Sequence, residues 1–433
     1  MENNRFVTSF YIKKFGPVKE FKFTIEDFNV LTGPQASGKS TIAKVVFFCL
    51  TLKNEILSQL TMPKGEEVYD VTIQKGMEKR LRGKFLRMFG STWAMPMDME
   101  IICEYRDNVS LRVFLEKDRN DENKNFVEFE FSGLLLDFIK KLDETQYVEN
   151  EKYISVQKEI NEFFADSREC IYVPAGRGMI SLLTDQLNYF FSSANDMIPL
   201  TIDYCTRAYV ELILRLRVKL NDGLKGLLDE KLRYTQDIVD KSAVHMMMEI
   251  ADKVQKGRYY YSSGEERLSI DGKRFVKINY ASSGQQESIW IFNLMFYFLL
   301  NNRRTIFILE EPEAHLYPEA QCNLARAFGL FSNKGNSVLL TTHSPYILGA
   351  LNTMLYAAKV PQNRFGEQSI IHKDCVLVPQ NTGAYFINNG DTVNAMSDGL
   401  IRNELIDGAA EIINKENDVL LDIIFSEVDR EDS

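Results

Sequence analysis

The run Gly33-Pro34-Gln35-Ala36-Ser37-Gly38-Lys39-Ser40-Thr41 sets two glycines, a lysine and consecutive hydroxyls at the spacing G-x-x-x-x-G-K-[ST]. The chemistry of that spacing is polyphosphate capture. Backbone N–H groups of the loop, and of the helix it opens, point at an anion. Gly33 and Gly38 permit an approach that a side chain would block. Lys39 neutralises charge on β- and γ-phosphates, and the Ser40 hydroxyl is a Mg²⁺ ligand.

Three further constellations follow near the other end of the chain. Ile306-Phe307-Ile308-Leu309 runs straight into Glu310-Glu311-Pro312-Glu313. A buried strand ending in adjacent carboxylates delivers them to the edge where open α/β sheets bind ligands. Glu310 is the candidate for holding Mg²⁺ and Glu311 for polarising the water that attacks a γ-phosphate. Ser337-Val338-Leu339-Leu340-Thr341-Thr342 likewise ends in His343, whose imidazole is placed to bond the γ-phosphate or hold the attacking water. Ser282-Ser283-Gly284-Gln285-Gln286 opens an apolar helix and reads as a second anion cradle, with a serine cap as its plainer role. Two phosphate-binding surfaces in different lobes of one chain point to a head-to-tail homodimer, or a higher homo-oligomer, with each ATP between Gly33–Thr41 of one copy and Ser282–Gln285 of the other.

The elements that must position these residues read as α/β. Alternating strands over Phe10–Lys14 and Lys19–Ile25 flank a Gly16-Pro17 turn; the apolar strand Phe28–Thr32 then leads through the loop into a helix at Ser40–Leu50. From about Val68 to Phe131 the pattern predicts β-type segments, among them Met99–Tyr105, Leu111–Leu115 and Phe126–Phe131. Ile171–Pro174 predicts a short strand, followed by Arg177. Leu212, Leu216 and Leu220, then Leu224, Leu228 and Leu232, recur at helical spacing and predict a helical lobe or short two-helix arm. Strands at Arg258–Tyr261 and Leu268–Ile278 precede a strict alternation: helix Gln285–Leu300, strand Thr305–Leu309, helix Pro318–Gly329, strand Ser337–Thr341. Such alternation predicts a parallel sheet flanked by helices. The divisions expected are an ATP-binding lobe with an antiparallel β insertion (1–178), the helical lobe (179–257), the rest of the ATPase lobe (258–395) and a helical C-terminal segment (396–433), with Ser426–Ser433 frayed.

Composition narrows the classes. The 433 residues are 45% hydrophobic and 26% charged, ordinary globular usage that excludes wholesale disorder and a collagen-like chain. With 51 Lys and Arg against 61 Asp and Glu, the net charge is −10. Nucleic acid would therefore need a local patch. The best candidate is Lys79-Arg80-Leu81-Arg82-Gly83-Lys84-Phe85-Leu86-Arg87. The six cysteines and four histidines are scattered, with no zinc, iron–sulfur or disulfide pattern. The N-terminus shows no signal pattern, and Ile289–Leu300 is too short to span a bilayer; a cytoplasmic chain without membrane contact is expected.

Taken together, the motifs resemble those of ABC-type ATPases of the SMC/RecF/OLD-like branch. On that resemblance Gly33–Thr41 is the Walker A loop, Ser282–Gln286 the signature, Ile306–Glu311 the Walker B strand, His315–Gln321 the D-loop and His343 the H-loop. The resemblance implies an ABC-ATPase fold with a mixed sheet, ATP and Mg²⁺ as ligands, and Lys39, Glu311 and His343 as catalytic residues. Three departures stand out: Glu310 where most relatives have Asp, a signature lacking its leading Leu with Ser283 for the first Gly, and no clear Q-loop glutamine. Arg177 takes roughly the Q-loop place and reads either as a γ-phosphate sensor or as a loop anchor. The segment Glu310–Gln321 is also similar to the ATP-binding proteins of bacterial anti-phage systems of the Septu and PARIS type. That similarity implies a sensor or scaffold subunit controlling a separately encoded nuclease or toxin. The interval from Lys39 to Ser282 is too short for a long SMC rod, and the stretch after His343 leaves little room for a fused Toprim nuclease. The alternatives are a repair or recombination ATPase acting directly on DNA, and a nucleotide switch with little turnover.

Overall fold

The computed structural model describes residues 8–61, 72–117, 124–144, 152–179, 203–235, 238–361, 371–402 and 414–419. In chain order the strands and helices are β1 (Ser9–Phe15), β2 (Val18–Thr24), β3 (Phe28–Thr32), α1 (Lys39–Leu50), α2 (Leu52–Thr61), α3 (Ile73–Phe89), β4 (Glu100–Arg106), β5 (Val109–Lys117), β6 (Asn125–Phe131), α4 (Gly133–Glu144), α5 (Tyr153–Phe163) and β7 (Glu169–Val173). There follow α6 (Tyr204–Arg217), α7 (Gly223–Tyr234), α8 (Lys241–Gln255), β8 (Arg258–Ser262), β9 (Glu265–Ser269), β10 (Phe275–Lys277), α9 (Ser283–Leu300), β11 (Thr305–Glu310), α10 (Pro318–Asn333), β12 (Ser337–Thr342), α11 (Pro345–Ala357), β13 (Thr382–Asn388), β14 (Asp391–Asn394), β15 (Met396–Ser397) and β16 (Leu400–Ile401).

Strands β3, β11 and β12 are buried along their whole length. That is the expected state of parallel strands covered on both faces, and it is why their sequences are near-continuous apolar runs. They form the middle of a six-stranded sheet ordered β14-β13-β3-β12-β11-β7. The five strands from β13 to β7 are mutually parallel, and only the edge strand β14 pairs antiparallel. Side-chain alternation in this sheet divides the molecule into two cores. Val30, Phe307, Leu309, Val338 and Leu340 face one core, shared with α6–α11. Leu31, Ile306, Ile308 and Leu339 face the other, shared with α1–α5 and the antiparallel sheet β2-β1-β4-β5-β6. Each large aliphatic side chain removed from water in these cores contributes roughly 1.5–3 kcal/mol.

The antiparallel sheet is one-sided, as its sequence requires: β5 buries Val109, Leu111, Val113 and Leu115 and turns the alternate residues outward. The span predicted as β-type throughout Val68–Phe131 departs from expectation at Ile73–Phe89, which is helix α3. Its apolar residues Ile73, Met77, Leu81, Phe85 and Met88 are buried at helical, not strand, spacing. The helical segment between β7 and β8 packs into the first core through Tyr209, Ile213, Leu216, Leu228, Val244 and Met247. It is a folded lobe of short helices, not an arm. The leucine ladder is broken between Arg217 and Gly223, so Leu220 lies outside a helix and Leu232 is exposed. Residues 396–401, expected to begin a helical segment, form the β15–β16 ribbon; residues 414–419 are helical, and Ser426–Ser433 lie outside the described residues. No helix among the described residues is long and apolar enough to cross a membrane.

The parallel register brings the C-terminal ends of β3, β7, β11 and β12 to one edge. Glu310 pairs with Thr341, and Thr342 with Thr32. Hence the loop after β3, the acids ending β11 and the histidine following β12 meet there, although some 300 residues separate the first from the last.

Candidate nucleotide site

Helix α1 opens at Gly38, in the left-handed region at φ 113°, with no side-chain cap and no acidic residue in its first turn. Its first N–H groups are therefore left for an anion. Gly33 has φ +138°, and a Cβ there would lie 2.0 Å from the Ile387 carbonyl oxygen of β13. No other residue fits this crossing of loop and strand. Pro34, Gln35, Ala36 and Ser40 are exposed, Thr41 is half-buried, and Ser37 and Lys39 are buried. Lys39 folds back over its own loop: Nζ donates to the carbonyls of Gly33 at 2.9 Å and Pro34 at 2.7 Å. Burial pushes its amine down to about 8, against the opposing pull of the Glu311 and Glu313 charges. Lys39 thus shares one electrostatic site with the acids of β11.

Glu311 is the most constrained residue of that site. Its φ is +41°, left-handed and non-glycine. Its N–H is held by the Thr341 carbonyl at 3.0 Å and the Thr341 hydroxyl at 3.2 Å. Its Oε1 lies 3.1 Å from His343 Nε2, with both side chains partly exposed. An acid and an imidazole in hydrogen-bond contact beside a phosphate-loop lysine form a unit able to orient a water and take its proton. Glu310 points the other way, into the protein. Its Oε2 accepts from the Ala175 N–H at 3.3 Å, while buried Oε1 has no hydrogen-bond partner. Beside it, the Tyr172 hydroxyl is raised well above its ordinary pKa, first by burial and then by the Glu310 charge.

Glu313, quoted with its neighbours but given no role from sequence, is the anchor of the histidine loop. Its Oε1 accepts from the Thr342 hydroxyl at 2.6 Å and from the His343 N–H at 2.9 Å. The signal was present as the third acid of Glu310-Glu311-Pro312-Glu313.

Arg177 corrects one expectation. Of the two roles left open, γ-phosphate sensor and loop anchor, the structure supports the second. The side chain is 1% exposed and donates to the carbonyls of Pro174 (2.6 Å), Glu310 (2.7 Å), Glu311 (2.9 Å) and Glu287 (3.2 Å). A guanidinium so enclosed does not reach a phosphate. The Glu287 carboxylate, also missed from sequence, pairs with Arg177 Nε at 3.2 Å and accepts from the Gly178 N–H at 2.9 Å.

At the second cradle, Ser282 caps α9 in a capping box with Gln285. Gln285 also donates to the Gln255 carbonyl at 2.7 Å. Ser283 lies exposed in the first turn, and a Cβ on Gly284 would come within 2.7 Å of the His315 carbonyl. This motif therefore packs against the segment that begins at His315 and Leu316.

The basic stretch has three of its five cations paired within the chain. It lies on α3, where Arg80 pairs with Glu55, Arg82 with Glu128, and fully buried Lys84 with Glu55. Phe85, read as interleaved with the charges, is in the core. Lys79 and Arg87 remain exposed, Arg87 over the Tyr204 ring.

A family model described as an AAA ATPase domain matches residues 181–348. That span carries Ser282–Gln286, Glu310, Glu311 and His343 and leaves out the Lys39 loop. No curated protein matches the chain. Among solved structures it is similar to an SMC head domain from Thermotoga maritima, at 13% identity and TM-score 0.37, covering 91% of this chain and 100% of that one. It is similar also to an Smc head bound to the C-terminal winged-helix domain of ScpA, at 11% identity and TM-score 0.40, covering 90% and 98%. A third is an Smc head with an extended coiled coil, bound to the C-terminal domain of ScpA derived from Pyrococcus furiosus, at 12% identity and TM-score 0.38, covering 95% and 99%. Likenesses this loose assign no ligand or partner. The phosphate loop, the strand-end acids and the ATPase-domain match over residues 181–348 support one class: an ATPase with a parallel-sheet α/β fold.

Proposed function

We propose that the chain hydrolyses Mg·ATP as an ATP-gated dimer, with the nucleotide between Gly33–Thr41 of one copy and Ser282–Gln285 of a second. The observation that carries this reading is the Glu311–His343 pair at 3.1 Å, next to a lysine whose charge those same acids steady. Glu311 takes the proton of the attacking water. His343 orients that water or bonds the γ-phosphate. Lys39 leaves its loop carbonyls for the phosphates. Mg²⁺ fits the residues present: the buried, unpartnered Oε1 of Glu310 and the exposed hydroxyl of Ser40 are oxygen donors of the kind it takes alongside nucleotide phosphates. When bound, the ion neutralises charge on the β- and γ-phosphates.

The finer reading is a sensor or scaffold subunit of an anti-phage defence system that restrains a separately encoded nuclease or toxin. It is supported by the likeness of Glu310–Gln321 to such ATPases. Direct action on DNA has less support, because three of the five cations in Lys79–Arg87 are paired within the chain.

Glu311→Gln tests the reading. It should bind ATP with near wild-type affinity and turn over at least ~10²-fold more slowly. Cells carrying it should lose protection against plaque formation. Wild-type turnover would remove Glu311 from its role; full protection without turnover would detach defence from hydrolysis.

A further inference from the structure

We infer that Arg177 is a positioning residue for ATP hydrolysis, holding the backbone of Glu311 in its reactive conformation and tying it to the first turns of α9. This rests on the role proposed above for Glu311. A non-glycine residue at φ +41° persists only where its surroundings over-determine it. Three groups fix the Glu311 peptide units: Thr341 holds the N–H, while the Ala314 N–H at 3.1 Å and Arg177 Nη2 at 2.9 Å share the carbonyl. Without Arg177 the carbonyl keeps only the local turn contact to Ala314, which moves with it, so the residue can relax toward an ordinary backbone and its carboxylate swing away from His343.

The other donors of Arg177 show what the site is tied to. Nη1 joins the Glu310 carbonyl, on the strand end before the catalytic acid, to the Pro174 carbonyl after β7. Nε reaches the carbonyl and the carboxylate of Glu287, two residues beyond the Ser282–Gln285 cradle. Glu287 Oε1 in turn holds the Gly178 N–H and lies 3.9 Å from His315 Nδ1. One buried guanidinium thus binds the catalytic strand, the loop after β7 and the signature helix, three segments far apart in sequence. Its planar fork matches several acceptors at once, which a lysine ammonium on a flexible stem does not.

The test is a double-mutant cycle of Arg177→Lys with Glu311→Gln. The assays are single-turnover hydrolysis of radiolabelled ATP, direct ATP binding, and thermal unfolding to confirm the fold. Arg177→Lys should leave ATP affinity within about threefold and lower kcat by about 10- to 100-fold, the cost of a misplaced catalytic group. In the Glu311→Gln background the same substitution should cost almost nothing further, since it acts through the group already removed. A purely structural arginine would exact the same cost in both backgrounds, and that result, or wild-type kcat in folded Arg177→Lys, overturns the inference. Should Arg177→Lys not fold, Glu287→Gln takes its place. It keeps an acceptor for Gly178 and removes the charge facing Arg177, with a smaller fall in kcat that must also vanish beside Glu311→Gln. Wild-type turnover by Glu311→Gln alone would instead overturn the Glu311 assignment on which both readings stand.

Discussion

The pH dependence of ATP affinity is the sharpest consequence of how Lys39 is housed. Burial lowers its amine from 10.5 to about 8, with Glu311 and Glu313 pulling back. The ammonium is the form that meets phosphate, so affinity is full below about 8 and is lost as pH rises through it. If only the charged form binds, the competent fraction falls from about 0.76 at pH 7.5 to about 0.03 at pH 9.5, a loss of roughly 25-fold. A lysine at its ordinary pKa would lose only about 1.1-fold over that interval. Calorimetric titration of the wild-type protein with Mg²⁺ and a non-hydrolysable ATP analogue across this range, at fixed ionic strength, measures the difference without turnover and keeps the Glu311 charge in place. Proton uptake on binding, read from buffers of differing ionisation enthalpy, should approach about half a proton at pH 8. Folding stability of the free protein moves the opposite way. The folded state releases this proton before the unfolded chain does, so stability rises between about pH 8 and 10.5. A Lys39→Arg variant stays charged throughout and should bind more weakly but without a pH break. Flat affinity for the lysine protein from pH 7.5 to 9.5 would refute the reasoning, and so would a break centred near 10.5.

Two other substitutions separate the roles of buried charge. Glu313→Gln keeps an oxygen for Thr342 and His343 but removes one of the two charges steadying the Lys39 ammonium. The break in ATP affinity should move below pH 8, while kcat at pH 7 falls less than tenfold; an unmoved break would show that Glu313 does not sense Lys39. Lys84→Met leaves the buried Glu55 carboxylate with Arg80 as its one salt-bridge cation among the described residues, and removes the ring contacts of the ammonium with Phe47, Phe48 and Tyr204. Breaking such a pair costs about 3–5 kcal/mol. Denaturant unfolding should register that loss, and unchanged stability would mean that Glu55 is protonated or rescued.

The sheet was legible where its physics is most demanding. Strands buried on both faces must be apolar at nearly every position, so Phe28–Thr32, Thr305–Leu309 and Ser337–Thr341 announce themselves within a residue of their observed ends. The helix α3 did not. Its buried Ile73, Met77, Leu81, Phe85 and Met88 carry the helical period, but two glycines within it and clear strand patterns downstream drew the whole region toward β. The six leucines between 212 and 232 were legible as two successive helical segments. The chain turns at residues 218–222, so the ladder covers two short helices, and what spacing alone left open was whether they pack as a lobe or project as an arm.

At the site, the division between what was legible and what was not follows from how each residue acts. Lys39, Glu310, Glu311 and His343 could be singled out from sequence because their positions at strand ends and a helix start are local, and local spacing is what a sequence displays. Arg177, Glu287 and Glu313 act by holding backbone, often across more than a hundred residues, and no residue-type pattern records which carbonyls converge on a guanidinium. An arginine after a buried strand reads equally well as a phosphate sensor and as a brace. Burial decides between them: a side chain 1% exposed, with four carbonyls already on its donors, has no open path to a phosphate. The same count explains why the brace matters to chemistry. Two of those carbonyls belong to Glu310 and Glu311, so whatever moves the guanidinium moves the two acids together, and the first turns of α9 are attached to it through Glu287.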